Sequence, residues 1–127
     1  MGIKYKEAED IRRIAEEVVK TLKLEHIQLD NVGFLRSFGS SSRRTIARCH
    51  ALSKPLQLGM NRKAFYTIEV LSEKFDNMPE DERIKVIIHE LMHIPFSFGG
   101  GFKHHDYVSI KNVDKLFKRY KEVNENL

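Results

Sequence analysis

Two histidines and a glutamate in the second half of the chain have the spacing of a hydrolytic metal site. The segment His89-Glu90-Leu91-Met92-His93 matches the pattern H-E-x-x-H. Residues four apart lie on one face of a helix, so the imidazoles of His89 and His93 can bind the same ion. Glu90 adjoins His89 and can reach a water on that ion without binding the metal itself. Neutral imidazoles, an open coordination position and a carboxylate base are what zinc-dependent hydrolysis requires.

The sequence around this motif predicts a buried helix. Pro79 suits the first helical position, and residues 80–82 place three carboxylates in the first turn, where the helix dipole favours them. Apolar residues then occupy most of the circumference as far as Ile94, and Pro95 should stop the helix there. Because burying histidine and glutamate without partners costs several kcal/mol, a metal site explains these residues better than an ordinary helix surface does.

A catalytic zinc ordinarily has three protein ligands, so a third must come from elsewhere. The pattern H-E-x-x-H-x-x-G-x-x-H is excluded, because it needs a histidine where Gly99 stands. A glutamate near the end of the chain is conceivable, with two candidates: Glu122 and Glu125. The better candidates are His104 and His105, since glycines 99–101 would let the chain turn back over the end of the helix.

The other reactive side chains have weaker assignments. Tyr107 follows the third-ligand candidates closely and could stabilise an oxyanion. We interpret His26 as a surface or capping residue, His50 as an ordinary strand residue and Cys49 as a small buried side chain. Four apolar side chains near the motif could line a substrate groove, although such residues are more often core: Met92, Phe96, Phe98 and Phe102.

The elements that position the motif follow from hydrophobic periodicity. The pattern predicts an amphipathic helix over Glu7–Lys23 and another from Val113 to Val123. Val32–Phe38 and Arg44–Leu52 read as strands of a hairpin, joined by the turn-forming residues between them. Two further stretches are strand candidates, the second with helix as an alternative: Pro55–Met60 and Phe65–Leu71.

Length and composition predict one soluble domain spanning residues 1–127. The apolar fraction of 41% and the charged fraction of 31% are those of a globular protein, and no apolar run is long enough to span a bilayer. The charged start and the single cysteine are typical of a cytoplasmic protein, and we assume a monomer. The net charge is +4, and four arginines lie close together in the sequence: Arg36, Arg43, Arg44 and Arg48. This mild basic charge makes nucleic acid only a minor candidate as a partner.

The stretch DERIKVIIHELMHIPFSFGGGFKHHDYV resembles small metallopeptidases of prokaryotes and their phages, and is distantly similar to SprT-like proteases and other minimal zincins. In these families a third histidine follows the motif after a short loop, and His105-Asp106-Tyr107 suits that place better than His104 does. The resemblance implies an α+β minimal zincin fold, with a small sheet packed against the motif helix and flanking N- and C-terminal helices. It also implies zinc-dependent peptide hydrolysis. With one cysteine and few residues after the last predicted helix, we expect no zinc ribbon or DNA-binding tail, so the DNA-linked role of SprT-like proteins is not carried over.

The predicted mechanism places Zn²⁺ on His89, His93 and His105, with Glu90 as the general base for the attacking water. An edge strand, with Phe65–Leu71 suggested, could align an extended peptide beside the metal. Two other classes stay open at this stage. One is a different zinc hydrolase, such as a nuclease or amidase, and the other is a non-catalytic binding domain stabilised by zinc.

Overall fold

The structure is a computed structural model that describes residues 2–103 and 107–125. Its elements are listed here in chain order: β1 (Lys4–Glu7), α1 (Glu9–Leu22), a 3₁₀ turn (Leu29–Asn31), β2 (Val32–Phe38), β3 (Ala47–Ala51), α2 (Lys54–Met60), β4 (Tyr66–Leu71), α3 (Ser72–Phe75), α4 (Glu80–Met92) and α5 (Ile110–Glu125). Within the described ranges, helices and one four-stranded mixed sheet make up the fold. The predicted α+β class is confirmed.

The strand order in the sheet is β1-β2-β4-β3. β1 pairs antiparallel with β2, β2 pairs parallel with β4, and β4 pairs antiparallel with β3. The predicted hairpin of β2 and β3 is therefore wrong. The chain does reverse between them, but β4 lies in the gap because its side chains at Tyr66, Ile68 and Val70 are fully buried and need a neighbour on each side. The turn-forming residues after β2 indicate a reversal and not which strand becomes the partner.

Three further differences from the predicted elements have local causes. Residues predicted as the strand Pro55–Met60 form the helix α2, because the Ser53 side chain accepts a hydrogen bond from the Leu56 amide and the proline stands in the first turn. The strand at Phe65–Leu71 is confirmed, but it is interior, so its suggested role as an edge strand is wrong. β1 was not predicted, because all four of its residues are exposed and apolar and polar residues do not alternate along it.

The helices α1, α4 and α5 pack together and cover one face of the sheet. α1 contributes Ile11 and Val18, and α4 contributes Ile87, Ile88 and Leu91, all fully buried. α5 adds its own buried stripe, which includes Val113 and Tyr120. The two predicted flanking helices are thus confirmed. α4 packs on the sheet beside α1, and α5 packs against both of these helices, so the apolar residues of α4 lie in the core.

Arg36 on β2 joins three elements through two carboxylates. Its guanidinium donates a bidentate pair to Asp10 of α1, at 3.0 and 2.9 Å, and two further hydrogen bonds to Asp76 after α3, at 3.0 and 2.8 Å. The hydrogen bond from Arg36 lowers the pKa of Asp10. Partial burial raises the pKa of Asp76, but the hydrogen bonds from Arg36 and Ser72 outweigh it, so that pKa is lowered too.

Arg36→Leu should lower the free energy of unfolding by about 1–2 kcal/mol at pH 7, since bidentate, partly buried ion pairs exceed the usual surface value. Because both carboxyl pKa values are lowered in the folded state, this stabilisation is present above the ordinary carboxyl pKa of about 4 and is lost as the pH falls below it. Urea unfolding at pH 7 and at progressively lower pH measures the difference. The exposed Arg13 on α1, replaced by leucine, is the control. A loss for Arg36→Leu that did not shrink with falling pH would contradict the assignment.

Candidate active site

The end of α4 places both motif histidines at the surface of the core. The helix begins at Glu80, one residue later than predicted, with Pro79 as its N-cap and three carboxylates in the first turn. It ends at Met92, two residues earlier than predicted, and His93 is the C-cap residue. The His93 amide bonds to the Glu90 carbonyl at 3.2 Å, an i→i−3 contact that tightens the last turn.

The imidazoles of His89 and His93 converge at their Nε2 atoms, which are 3.3 Å apart. Two nitrogens bound to one tetrahedral zinc at 2.0–2.1 Å lie about 3.3–3.4 Å from each other. The two side chains therefore already have the spacing of a pair of ligands. Both are partly exposed, so an ion between them would be reachable from outside.

The His93 ring is fixed by the main chain ten residues further on. Its Nδ1 donates to the Lys103 carbonyl at 2.8 Å, and the Lys103 amide donates to the His93 carbonyl, also at 2.8 Å. A carbonyl can only accept, so the ring proton is on Nδ1 and the lone pair on Nε2 faces His89. This is the outer hydrogen bond that orients a metal-binding histidine in most sites.

The glycine segment that returns the chain to Lys103 is held by the central strand. The buried hydroxyl of Tyr66 on β4 accepts from the Gly100 amide at 2.9 Å and donates to the Gly101 carbonyl at 2.8 Å. Gly100 has a φ of +106°, and a Cβ there would lie 2.5 Å from Gln57 Nε2. Of Gly99, Gly100 and Gly101, only Gly100 must be glycine for the turn to form. The tight turn supports the prediction that the chain returns over the end of the helix.

Glu90 lies on the buried side of the same helix turn. Its side chain reaches to 4.0 Å from His89 Nε2, and the residue is only 6% exposed. Burial raises its pKa to about 7. β3 packs against α4, and its first residue, Ala47, lines the same groove as Glu90. Burial, with a contribution from the charge of Glu90, raises the pKa of Cys49 on β3 to about 12, so this thiol is protonated and unreactive.

An open groove of about 650 Å³ adjoins His89 and Glu90. We call it the active-site groove. Its walls come from the start of β3, the first half of α4 and the start of α5, and its apolar lining is formed by these side chains: Ile46, Ala47, Met78, Val86, Ile110 and Val113. Lys85 on the same wall is paired with Glu82 and Asp114 at 3.7 and 3.5 Å. The size is that of an ordinary ligand cleft.

β3 presents a free main-chain edge beside this groove. The bonds from the Leu71 amide to the Ile46 carbonyl and from the Leu52 amide to the Phe65 carbonyl fix which residues face β4. In an antiparallel ladder the facing residues alternate, so Ala47, Cys49 and Ala51 direct their amides and carbonyls away from β4. Among the described residues the sheet ends at β3 on this side. The sequence did not predict this free edge, because β3 lies at the end of the sheet only once β4 is inserted between β2 and β3.

The other predicted site residues are His104, His105 and Tyr107. His104 and His105 lie outside the described residues, and the description resumes at Tyr107. The centroid of the Tyr107 ring is 5.3 Å from Lys103 Nζ. The ring lines a small cavity near His26, away from the groove. Its suggested oxyanion role stays a prediction.

The two remaining histidines have partners elsewhere in the structure. The His26 Nε2 donates to the Ile94 carbonyl at 3.3 Å, and burial lowers the pKa of this histidine. His50 lies 2.8 Å from the Glu69 carboxylate, on the sheet face that alternates away from Cys49. Of the residues suggested for a groove, Met92 and Phe98 are buried in the core, whereas Phe96 and Phe102 are exposed.

Two ligand histidines alone do not complete a catalytic zinc site. Within residues 2–103 and 107–125, three or more histidine, cysteine, aspartate or glutamate side chains do not come together in a group that could hold a metal. The donors that do converge fit zinc, because they are neutral imidazoles at ligand spacing with one ring oriented by an outer hydrogen bond. Lys103, which contacts His93, is the last described residue before His104.

Comparison with known proteins gives one match. Residues 3–125 match the family described as "Putative phage metallopeptidase". The chain belongs to this family. No curated protein and no solved structure matches it.

Membership of the phage metallopeptidase family agrees with the resemblance read from the sequence and supports a metal-dependent peptidase in general. The match covers almost the whole chain, so it includes the sheet and the flanking helices as well as the motif. In the part of the chain that the structure describes, every helix is too short or too polar to cross a bilayer.

Tyr66→Phe should release the glycine segment from the central strand. It leaves the Gly100 amide and the Gly101 carbonyl without their buried partner, which costs about 1–3 kcal/mol of unfolding free energy. The amides of Gly100 and Lys103 should then exchange with deuterium faster, whereas those of the core of α1 should change only with global stability. Hydrogen exchange followed by mass spectrometry or NMR measures this. Tyr5→Phe, at an exposed tyrosine of β1, is the control, and unchanged exchange at Lys103 would contradict the role assigned to Tyr66.

Proposed function

We propose that the protein is a zinc-dependent peptidase, with His89, His93 and a third histidine as metal ligands and Glu90 as the general base. The observation that carries the proposal is the 3.3 Å approach of the two Nε2 atoms beside a buried carboxyl group. His105 is the third ligand that we favour, and His104 is the alternative. Support comes from Lys103, whose carbonyl and amide both bond to His93 and which precedes the two candidates for the third ligand in the sequence.

Bound zinc would supply a Lewis acid that polarises the scissile carbonyl and acidifies water at neutral pH. The protein supplies the proton transfer. Glu90 sits in a poorly hydrated position, where its pKa is raised, so it can hold a proton taken from the attacking water and release it to the leaving amine. In this scheme His93 keeps its ring orientation throughout, because Nδ1 stays bonded to the Lys103 carbonyl.

An extended peptide would bind along the free edge of β3. The outward amides and carbonyls of Ala47, Cys49 and Ala51 can pair with a substrate strand. Because β3 packs against α4 and Ala47 lines the groove with Glu90, that strand would lie beside the base. Antiparallel pairing is the more stable arrangement per residue. A side chain next to the scissile bond would then enter the apolar active-site groove. The substrate is thus an unfolded or flexible polypeptide, since a folded one could not offer a free strand.

The basic density noted in the sequence does not form one free phosphate-binding surface. Arg36 is paired with Asp10 and Asp76, and Arg48 is within 3.4 Å of the Glu69 carboxylate. The nuclease alternative therefore has less support than peptide hydrolysis.

Glu90→Gln separates catalysis from a structural metal site. The amide has the same shape but cannot take the proton, so turnover of an unstructured protein such as casein should fall roughly 10²-fold or more. Zinc content and melting temperature should stay close to those of the wild type. Glu16→Gln, at an exposed glutamate of α1, is the matched control, with turnover expected to be unchanged. Turnover retained by Glu90→Gln would contradict the proposed base, and a wild type that binds zinc yet cleaves no unfolded protein would favour a non-catalytic domain.

A further inference from the structure

The short helix α2 exposes an unusual amount of apolar surface. Leu56 is 54% exposed, Leu58 is 80% exposed and Met60 is 57% exposed. We call these three residues the α2 apolar surface. Leu56 and Met60 share one side of the helix, and Leu58 lies on another. Three large apolar side chains clustered on seven residues mark an interaction site more often than scattered single ones do.

Polar contacts hold α2 in place without help from these side chains. Ser53 caps its start, and Asn61 ends it in the left-handed conformation. Gln57 is its one buried residue, and Gln57 Nε2 donates to the Leu52 carbonyl at 2.8 Å and to the Gly99 carbonyl at 3.2 Å. The helix is therefore attached through Gln57 to the glycine segment behind the motif helix. Its apolar residues are not needed for that attachment.

The position of α2 links it to the free edge of β3. The helix begins after only two residues beyond that strand, Leu52 and Ser53. A chain paired along β3 and continuing past Ala51 would meet α2 next. In the proposed binding mode the scissile bond lies beside the middle of β3, which packs against α4 and lines the groove with Glu90 through Ala47. A strand advances about 3.3 Å per residue, so contact with α2 begins roughly three residues from the scissile bond.

The charge around α2 has one sign. Residues 51–65 contain no aspartate or glutamate but include three exposed cations: Lys54, Arg62 and Lys63. None of the three is in an ion pair with another described residue, and Arg62 lies over the Phe65 ring with its guanidinium carbon 4.8 Å from the centroid. The surface thus complements a chain that carries both apolar and acidic side chains.

We propose that α2 is an exosite for the substrate polypeptide, which binds a segment of apolar and acidic residues beginning about three residues before the scissile bond. This inference rests on the proposed peptidase function. Antiparallel pairing with β3 puts the N-terminal side of the substrate at the Ala51 end, and so on α2. The peptidase would then select sequences by residues well outside the groove.

Binding can be measured apart from turnover by using zinc-loaded Glu90→Gln. Fluorescence anisotropy gives Kd for a short core peptide and for the same peptide extended at its N-terminus by leucines and aspartates. The extension should tighten binding at least tenfold. Replacing Leu56, Leu58 and Met60 together by glutamine, a good helix former, should remove that gain while leaving the Kd of the core peptide unchanged. Ile3→Gln, at another exposed apolar residue, is the control and should keep the gain.

Two variations define the recognition. Replacing Lys54, Arg62 and Lys63 by glutamine should abolish the preference for aspartate over serine in the extension. Moving the extension to the C-terminus of the peptide should abolish the gain in affinity, even when the α2 apolar surface is intact. An equal gain from either end, or no gain at all, would overturn the proposal.

The two other occupants of such a surface have their own signatures. The variant with glutamine at Leu56, Leu58 and Met60 is used for both tests. If it no longer binds anionic phosphatidylserine vesicles but still binds the extended peptide as the wild type does, the proposal is overturned in favour of a membrane. A dimer in light scattering that dissociates in the same variant would overturn it in favour of a second copy. Failure of the proposed peptidase function would give a different result. The extension would still tighten Kd, but the wild-type protein would cleave none of the peptides.

Discussion

The pair of hydrogen bonds between His93 and Lys103 is the constraint on which the rest of the site depends. It joins the end of α4 to a segment ten residues later and holds one imidazole with its Nε2 towards His89. Without it, the ring could adopt several rotamers and tautomers, and the two proposed ligands would lose more conformational entropy on binding a metal. The sheet contributes through the Tyr66 hydroxyl, which bonds both sides of the glycine segment. A buried central strand thereby fixes the geometry of a surface site.

The same packing explains why the pKa is raised for the carboxyl group that we propose as the general base. α4 is embedded between the sheet and two helices, so Glu90 is removed from water while His89, one residue earlier, stays partly exposed. The pKa of Glu90 follows from that burial. The exposed side of the motif, the edge of β3 and the groove then form one continuous surface. The proposed proton acceptor in the core and the proposed ligands at the surface thus lie within about one turn at the end of α4, which is the arrangement that metal-assisted hydrolysis needs.

The sequence predicted the motif helix well because its signals are local. The acidic first turn, the apolar circumference and the proline at position 95 each act within one or two turns. The same reasoning found α1 and α5 from their periodicity and recognised the need for a tight turn at the glycines. Only Gly100, which has positive φ and contacts Gln57, proved to require it. Local patterns failed where pairing over distance decides the outcome. Nothing in residues 39–43 indicates that β4 will enter between β2 and β3. The free edge of β3 and the groove therefore could not be predicted from the sequence, and the capped apolar helix α2 resembled a strand.

Zinc absorption spectroscopy tests the central claim most directly. Protein prepared without chelators should carry about one zinc per chain, and the K-edge spectrum should show three imidazole nitrogens at about 2.0–2.1 Å with one oxygen ligand. His105→Ala should lose one imidazole from that set, and His104→Ala should keep all three. Protein that holds no zinc and whose melting temperature does not rise when zinc is added would contradict the account. So would a bound zinc whose spectrum is unchanged by replacing His89 and His93.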